Sequence, residues 1–214
     1  DVVLSGLEHD ITKVKGGHHS TGIHGNRYIY TVLTKYGKAD LAYQILTTPD
    51  FPSQTYVMGK GFTTWPERQF EWEKLEGPTN SLNHPMHSGF AAYFYESLGG
   101  IKSTTEKVGY KEFIVDPEFS NKITSTNVSI PTPYGFIKND WNISDKVLSI
   151  NLEVPFNTKA KLVLNEDEFK SLTINGESFK DFKSKNKIEY DSSSVKLGSG
   201  NYKITYMKKN NNQL

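Results

Sequence analysis

The stretch VLSINLEV, residues 147–154, alternates apolar and polar side chains at every position. A period of two puts the apolar side chains on one side of an extended strand, so the pattern predicts a half-buried β-strand. AKLVL (160–164) and NYKITY (201–206) repeat the pattern, and turn signals such as INGES and GSGN separate such stretches. Several short alternating strands with turns between them are typical of a β-sandwich. We therefore expect an antiparallel β-sandwich over residues 106–210.

The first half of the chain, residues 1–105, shows the period of a helix instead. In ADLAYQIL (39–46), four apolar residues are spaced to share one helix face: Leu41, Ala42, Ile45 and Leu46. The same spacing occurs in NRYIYTVLTKYGK (26–38), at Tyr28, Val32, Leu33 and Tyr36. It also occurs in SGFAAYFYESLGG (88–100), at Phe90, Ala91, Phe94, Tyr95 and Leu98. Ser88 is the predicted N-cap of that helix. The opening VVLSGLEHDITKVKGG (2–17) is also predicted to be helical. The fold class is therefore α+β, with a junction near residue 105.

The composition excludes some classes of function. The 214 residues carry a formal net charge of +1, which gives no electrostatic argument for binding nucleic acid or an anionic membrane. The chain has no cysteine, so disulfides and thiolate metal sites are excluded. No apolar run approaches the roughly 20 residues that a membrane-spanning helix needs.

The segment 61–90 mixes residue types that neither a solvated loop nor an apolar core requires. It holds Trp65, Glu67 and Arg68 in TTWPER, and His84 and His87 in NHPMH. A glutamate is most often a surface residue paired with a neighbouring cation, here Arg68 or a lysine. The two histidines have a spacing that could suit a metal, but the other histidines are distant in sequence and no carboxylate-rich motif follows. We therefore predict no metal site and place His87 at a helix start near a site rim.

Two other features are compatible with either packing or binding. GGHHSTGIHG (16–25), which contains His18 and His19, is glycine-rich but matches no phosphate-binding pattern, so a loop between helices is the simpler interpretation. Trp65 and Trp72 could stack on the apolar face of a sugar or pack within the protein. For Trp72 we favour packing, whereas for Trp65 both alternatives remain open.

Several blocks occur together in an order that resembles a known family. GHHSTGIHGNRYIYTVLTKYGKADLAYQIL, TTWPER, SLNHPMHSGFAAYFYESLGGI, TPYGFIKNDW and GSGNYKITY together resemble the C-terminal portion of bacterial α-L-rhamnosidases of glycoside hydrolase family 78. The resemblance implies that residues 1–105 are the last helices of an (α/α)6 catalytic barrel and that residues 106–210 are the β-sandwich that follows it. It also implies that the chain is a portion of a longer polypeptide.

The resemblance further implies an activity and a set of site residues. The family removes terminal α-L-rhamnose from glycosides with inversion, which requires one carboxyl group as general acid and another as general base. The family's base lies in a TTLWER block, which reads TTWPER (63–68) here, so the base would be Glu67. His84, in SLNH, would contact the sugar, and Trp65, Arg68 and His19 are further candidates for substrate contact. The general acid would lie upstream of this chain, and no cofactor is implied.

One departure from the family pattern and one consequence of the resemblance bear on this interpretation. Where the family usually has Leu-Trp before the glutamate, this chain has Trp65-Pro66, and a proline removes a backbone donor. A partial barrel would leave helix faces without a partner, so we expect a homo-oligomer through the helical half or repacking of its helices. The residues expected to lose packing are Leu41, Ile45, Phe90, Phe94 and Tyr95.

The alternative function is a non-catalytic carbohydrate-binding or structural β-sandwich module with attached helices.

Overall fold

The computed structural model describes residues 2–69, 71, 74 and 81–208, and its contacts divide the chain into two compact units. The first unit comprises residues 1–93 with 119–122, and the second comprises 94–118 with 123–214. The units therefore change over at residues 93–94, earlier than the junction expected near residue 105. Within the described residues, no helix is both long and apolar enough to cross a membrane.

The first unit is built from short helices, as the sequence predicts. In chain order they are α1 Val2–His9, a π-helix Asp10–Val14, α2 Ile23–Asn26, α3 Ile29–Lys35, α4 Ala39–Thr47, α5 Gln54–Gly59 and a 3₁₀-helix Pro85–Ala91. In α4 the buried residues are Ala39, Ala42, Ile45 and Leu46, so the predicted apolar face is confirmed there. The carboxylate of Asp40, in the first turn of α4, accepts hydrogen bonds from Ser120 Oγ at 2.6 Å and from the Asn121 amide at 2.7 Å.

The predicted face of α3 is right for Leu33 and wrong for its other three residues. Tyr28, Val32 and Tyr36 are exposed, while the buried residues are Ile29, Tyr30, Leu33 and Thr34. The reason is that two of these buried residues are polar and form hydrogen bonds: Thr34 Oγ1 donates to the Tyr30 carbonyl at 2.7 Å, and the Tyr30 hydroxyl joins a buried polar network. A hydrophobic pattern does not detect a helix face that is buried partly through polar groups.

The helix predicted over 88–100 is only partly observed, because residues 85–98 are helical without a break but do not form a regular α-helix. The chain forms the 3₁₀-helix Pro85–Ala91 and then, in the second unit, a π-helix Phe94–Leu98. These helices do not have 3.6 residues per turn, so a face read at that period does not persist. Ser88 lies inside the 3₁₀-helix, where its hydroxyl donates to the Pro85 carbonyl, and is not an N-cap.

The expected loss of packing in the helical half is only partly observed. Ile45 and Phe90 are buried within this chain, so the prediction is wrong for them. Leu41 is half-buried, whereas Phe94 and Tyr95 are exposed. Oligomerisation stays a prediction.

The described strands of the second unit are β1 Ile101–Ser103, β2 Glu112–Val115, β3 Ser125–Thr132, β4 Gly135–Ser144, β5 Val147–Val154, β6 Lys159–Val163, β7 Thr173–Ile174, β8 Glu177–Ser178, β9 Ser194–Leu197 and β10 Gly200–Met207. They form a four-stranded sheet in the order β1-β2-β6-β9 and a six-stranded sheet in the order β3-β4-β5-β10-β7-β8. Every pair of these strands is antiparallel except β2 with β6, which is parallel. A 3₁₀-helix, Val108–Tyr110, precedes β2.

The alternation that predicts β5 is confirmed, because Leu148, Ile150, Leu152 and Val154 are all buried. Strand β4 alternates in the same way and buries Trp141, whose indole nitrogen donates to the Leu98 carbonyl at 2.7 Å. Two α-helices in this unit were not predicted: α6 Glu166–Ser171 and α7 Phe179–Asn186.

The close approach of Gly100 to the segment before β3 gives a test of packing in the second unit. Gly100 has φ +64°, and a Cβ there would overlap backbone atoms of Asp116 and Pro117. Gly109 has a similar φ of +72° but open space around it. We expect Gly100→Ala to lower the free energy of unfolding by about 2–5 kcal/mol, because backbone strain and a backbone clash add.

The matched control is Gly109→Ala, which adds only the strain of a left-handed residue, about 1–2 kcal/mol. Urea unfolding followed by circular dichroism measures both variants. Equal losses for the two variants would show that the contact with residues 116–117 does not constrain position 100.

Candidate functional site

Two short segments of the first unit pair through their backbones and bring the main candidate residues side by side. The amide of His84 donates to the Trp65 carbonyl at 2.7 Å, and the amide of Glu67 donates to the Ser81 carbonyl at 2.9 Å. The hydroxyl of Thr64 adds a third bond, to the Leu82 carbonyl at 2.5 Å. Residues 64–67 therefore lie against residues 81–84, although 13 positions separate the two segments in sequence.

The predicted site residues differ in their exposure. Glu67, His84 and Trp65 are half-buried, and Arg68 is exposed. The Trp65 ring packs edge-to-face on Phe90, with 4.9 Å between ring centroids, so part of its role is packing. Trp72, for which packing was predicted, lies outside the described residues. The roles of these residues as base or substrate contacts stay predictions.

His87 is placed differently from its prediction. It does lie in the first turn of the 3₁₀-helix, but its side chain is buried and not at a rim. Its Nδ1 lies 2.7 Å from the carbonyl oxygen of Pro66, the residue before Glu67. Burial is the main cause that lowers the pKa of His87, and the neighbouring His84 lowers it further, although the bond to Pro66 acts in the opposite direction.

His19 is also buried, with only 2% of its surface exposed. Its Nδ1 lies 2.8 Å from the Thr21 hydroxyl, and its Nε2 lies 3.2 Å from the Tyr30 hydroxyl. Burial, with smaller contributions from His87 and His18, lowers the pKa of His19 to about 4. Because both ring nitrogens have protein partners, this arrangement does not favour His19 as a substrate contact, and that role stays a prediction.

A buried polar network connects these histidines, and the sequence did not reveal it. Asn26 lies at its centre: its side chain donates to the His87 carbonyl at 2.7 Å and accepts from Gln54 Nε2 at 2.8 Å and from the Tyr30 hydroxyl at 3.4 Å. Asn26, Tyr30 and Gln54 are each at most 1% exposed. The one local sign of the network was the spacing of Asn26 and Tyr30, four positions apart, whereas nothing in the sequence indicated Gln54.

The site has no arrangement suited to a metal in the part of the chain that the structure describes. No group of three or more His, Asp or Glu side chains comes together there in a way that could hold an ion. The Nε2 atoms of His84 and His87 are shielded from solvent, and neither has a hydrogen-bond partner among the described residues. Unpartnered buried polar atoms are uncommon and call for an explanation.

Comparison with known proteins identifies the class to which this architecture belongs. A family model described as the bacterial alpha-L-rhamnosidase 6 hairpin glycosidase domain matches residues 2–98, and one described as the bacterial alpha-L-rhamnosidase C-terminal domain matches residues 100–179. An alpha-L-rhamnosidase of Formosa agariphila is 69% identical over 97% of this chain. Another, from Alteromonas sp., is 33% identical over 68% of it.

Solved structures agree with the sequence comparisons. An alpha-L-rhamnosidase from Dictyoglumus thermophilum superposes with a TM-score of 0.76 and 28% identity, over 96% of this chain and 23% of that protein. The Streptomyces avermitilis alpha-L-rhamnosidase superposes with a TM-score of 0.74, over 91% of this chain and 19% of that one, and at 24% identity this likeness concerns the fold alone. The chain belongs to the bacterial α-L-rhamnosidase family. It spans 22% of the length of the Formosa agariphila relative and 16% of the Alteromonas one.

The buried histidines give a test of how the first unit responds to pH. The pKa of the His19 imidazole is about 6.5 in an unfolded chain, and burial lowers this pKa to about 4 in the folded chain. The unfolded state therefore binds more protons within this window, and stability falls as the pH falls from about 6.5 to about 4. The full effect of this residue is roughly 3 kcal/mol, and His87, whose pKa is also lowered, acts in the same direction.

Denaturant unfolding of the chain at several pH values measures this slope. We expect His19→Gln to flatten it, because the substitution removes one titrating group. The matched control is His24→Gln, which substitutes an exposed histidine on α2 in the same way. Equal slopes in the unmodified chain and the His19→Gln variant would contradict the assignment.

Proposed function

We propose that this chain forms part of an inverting glycoside hydrolase that removes terminal α-L-rhamnose, with Glu67 as the general base. The observation that carries the proposal is the backbone pairing of residues 64–67 with residues 81–84. It sets a half-buried carboxylate next to a segment that carries an imidazole, within a chain that is 69% identical to a protein named as an alpha-L-rhamnosidase. A general base of this kind activates the water that attacks the anomeric carbon.

His84 is proposed to bind a hydroxyl group of the sugar. Its Nε2 has no hydrogen-bond partner among the described residues, which suits a nitrogen that acquires its partner from a ligand. Because Nε2 is shielded from solvent in this chain, a sugar hydroxyl reaches it only after a rotation of the ring or a shift of its neighbours. Trp65, half-buried on Phe90, would offer part of its indole to the apolar face of the sugar, and the exposed Arg68 would lie at the outer edge of the site.

The general acid is proposed to lie in an upstream part of a longer polypeptide. Its support is the length relation, since the chain spans 22% of the Formosa agariphila alpha-L-rhamnosidase. An inverting glycosidase needs both carboxyl groups, roughly 6.5–9.5 Å apart, and Glu67 supplies one of them. The proposed partners of the complete enzyme are therefore a rhamnose-containing glycoside or polysaccharide and the upstream portion of the same polypeptide.

A structural role is proposed for the β-sandwich of the second unit. Carbohydrate-binding faces commonly offer exposed aromatic rings, but Trp141 is 1% exposed and points into the interior. The outward side of β4 and β5 carries the exposed ring of Phe136 together with charged groups, and Lys138 pairs with Glu153 across the two strands at 2.7 Å. Glycan binding by this face would contradict the proposal.

The base role is tested by Glu67→Gln in the complete enzyme. We expect kcat to fall by roughly 10²–10⁴-fold, because a general base acts in the transition state, and KM to remain nearly unchanged. Glu71→Gln is the matched control, since Glu71 is a nearby carboxylate whose partner is Lys74 at 2.8 Å. Unchanged turnover of an aryl α-L-rhamnoside by the Glu67→Gln enzyme would remove Glu67 from the mechanism.

The location of the general acid is tested with the 214-residue chain alone. Because one half of the catalytic pair is proposed to lie outside it, we expect no hydrolysis of an aryl α-L-rhamnoside, while the complete enzyme hydrolyses it. Sedimentation of the same sample measures the predicted homo-oligomer. Hydrolysis by the isolated chain would show that the acid lies within these residues.

A further inference from the structure

The peptide group between Pro66 and Glu67 is hydrogen-bonded at both of its polar atoms. Its carbonyl oxygen, on Pro66, lies 2.7 Å from His87 Nδ1, and its N–H, on Glu67, donates to the Ser81 carbonyl at 2.9 Å. A peptide group is planar, so fixing both atoms fixes the orientation of the plane. The Cα of Glu67 lies in that plane, so the two bonds fix the direction of the N–Cα bond of Glu67, from which its side chain then departs according to its φ angle.

His87 is itself held firmly at its backbone. Its amide donates to the His84 carbonyl at 3.0 Å, and its carbonyl accepts from Asn26 Nδ2 at 2.7 Å. Asn26 is completely buried and is anchored in turn by Gln54. The imidazole that contacts Pro66 thus belongs to a rigid polar interior and not to a mobile side chain at the surface.

The contact also fixes the tautomer of His87. A carbonyl oxygen can only accept a hydrogen bond, so Nδ1 must carry the proton and donate it. Nε2 then bears the lone pair of the neutral ring, and this atom is buried without a partner among the described residues. Burial lowers the pKa of His87, which keeps the ring neutral in this setting.

We propose that His87 is a positioning residue for Glu67. Its Nδ1–H donates to the Pro66 carbonyl and thereby orients the backbone from which the carboxylate of the general base projects. This inference rests on the proposed function, because it is the base role of Glu67 that makes its orientation matter. His87 is not offered as a catalytic residue. Only 3% of the residue is exposed to solvent. Its side chain contacts the backbone next to Glu67 and not the reacting atoms.

Three substitutions in the complete enzyme separate positioning from simple packing. An asparagine can place its amide N–H where Nδ1 lies, whereas a glutamine amide reaches the position of Nε2, and a leucine has no donor. We expect His87→Leu and His87→Gln to lower kcat by on the order of 10²-fold, the effect of a misplacement of about 1 Å, with KM changed by less than about threefold. His87→Asn should retain kcat to within about tenfold, because it keeps the donor.

A structural readout on the 214-residue chain keeps the inference separate from the base role. Hydrogen exchange of the Glu67 amide reports whether its bond to Ser81 persists. We expect His87→Leu and His87→Gln to accelerate this exchange and His87→Asn to leave it near that of the unmodified chain. Circular dichroism checks folding, and if the leucine variant does not fold, the comparison of asparagine with glutamine decides the question.

The outcomes are distinguishable. If Glu67→Gln leaves turnover intact, the proposed function fails and the positioning role falls with it, whatever the exchange rates show. If Glu67→Gln abolishes turnover while His87→Gln leaves kcat and the Glu67 exchange unchanged, the base role stands and the positioning role is overturned. Equal losses of kcat in the asparagine and glutamine variants would also overturn it, because the donor at Nδ1 would then be irrelevant.

Discussion

The buried side-chain amide of Asn26 is the interaction on which the interior of the first unit depends. It is fully enclosed, and it joins three parts of the chain by donating to the backbone of His87 while accepting from Gln54 and Tyr30. A buried amide that loses a partner costs about 1–3 kcal/mol for each group left unsatisfied. This cost favours one arrangement of the short helices around Asn26. In a larger helical domain, long apolar helix faces would fix the arrangement.

The second unit is stabilised in another way, and this explains why its fold could be predicted from sequence. The side-chain period of a strand is two, so the alternation in VLSINLEV follows directly from the burial of Leu148, Ile150, Leu152 and Val154. One of the two missed helices, α6, also left a local sign. Asn165 and Glu168 form a capping box in NEDE, with the Asn165 side chain accepting from the Glu168 amide at 3.0 Å and the Glu168 carboxylate accepting from the Asn165 amide at 2.9 Å.

The candidate site could be predicted only in part, for a physical reason. The motif TTWPER identified the segment of Glu67 because residues adjacent in sequence carry its signature. The contacts that hold the segment are between residues far apart, such as Pro66 with His87 and Asn26 with Gln54, and such pairs leave no periodic or local pattern. The predicted face of α3 was wrong for the same reason, since Tyr30 is buried through bonds to distant polar groups.

The buried Pro66 has a consequence for which sequences this segment can accept. The backbone polar groups on either side of its nitrogen already have hydrogen-bond partners. The Trp65 carbonyl accepts from the His84 amide, the Pro66 carbonyl accepts from His87 Nδ1, and the Glu67 amide donates to the Ser81 carbonyl. Any other residue at this position would bring an additional N–H into a place that is shielded from water. A substitution of Pro66 therefore requires a new hydrogen-bond acceptor nearby for the added N–H. We expect such a substitution to accompany a second change in its surroundings and not to occur alone.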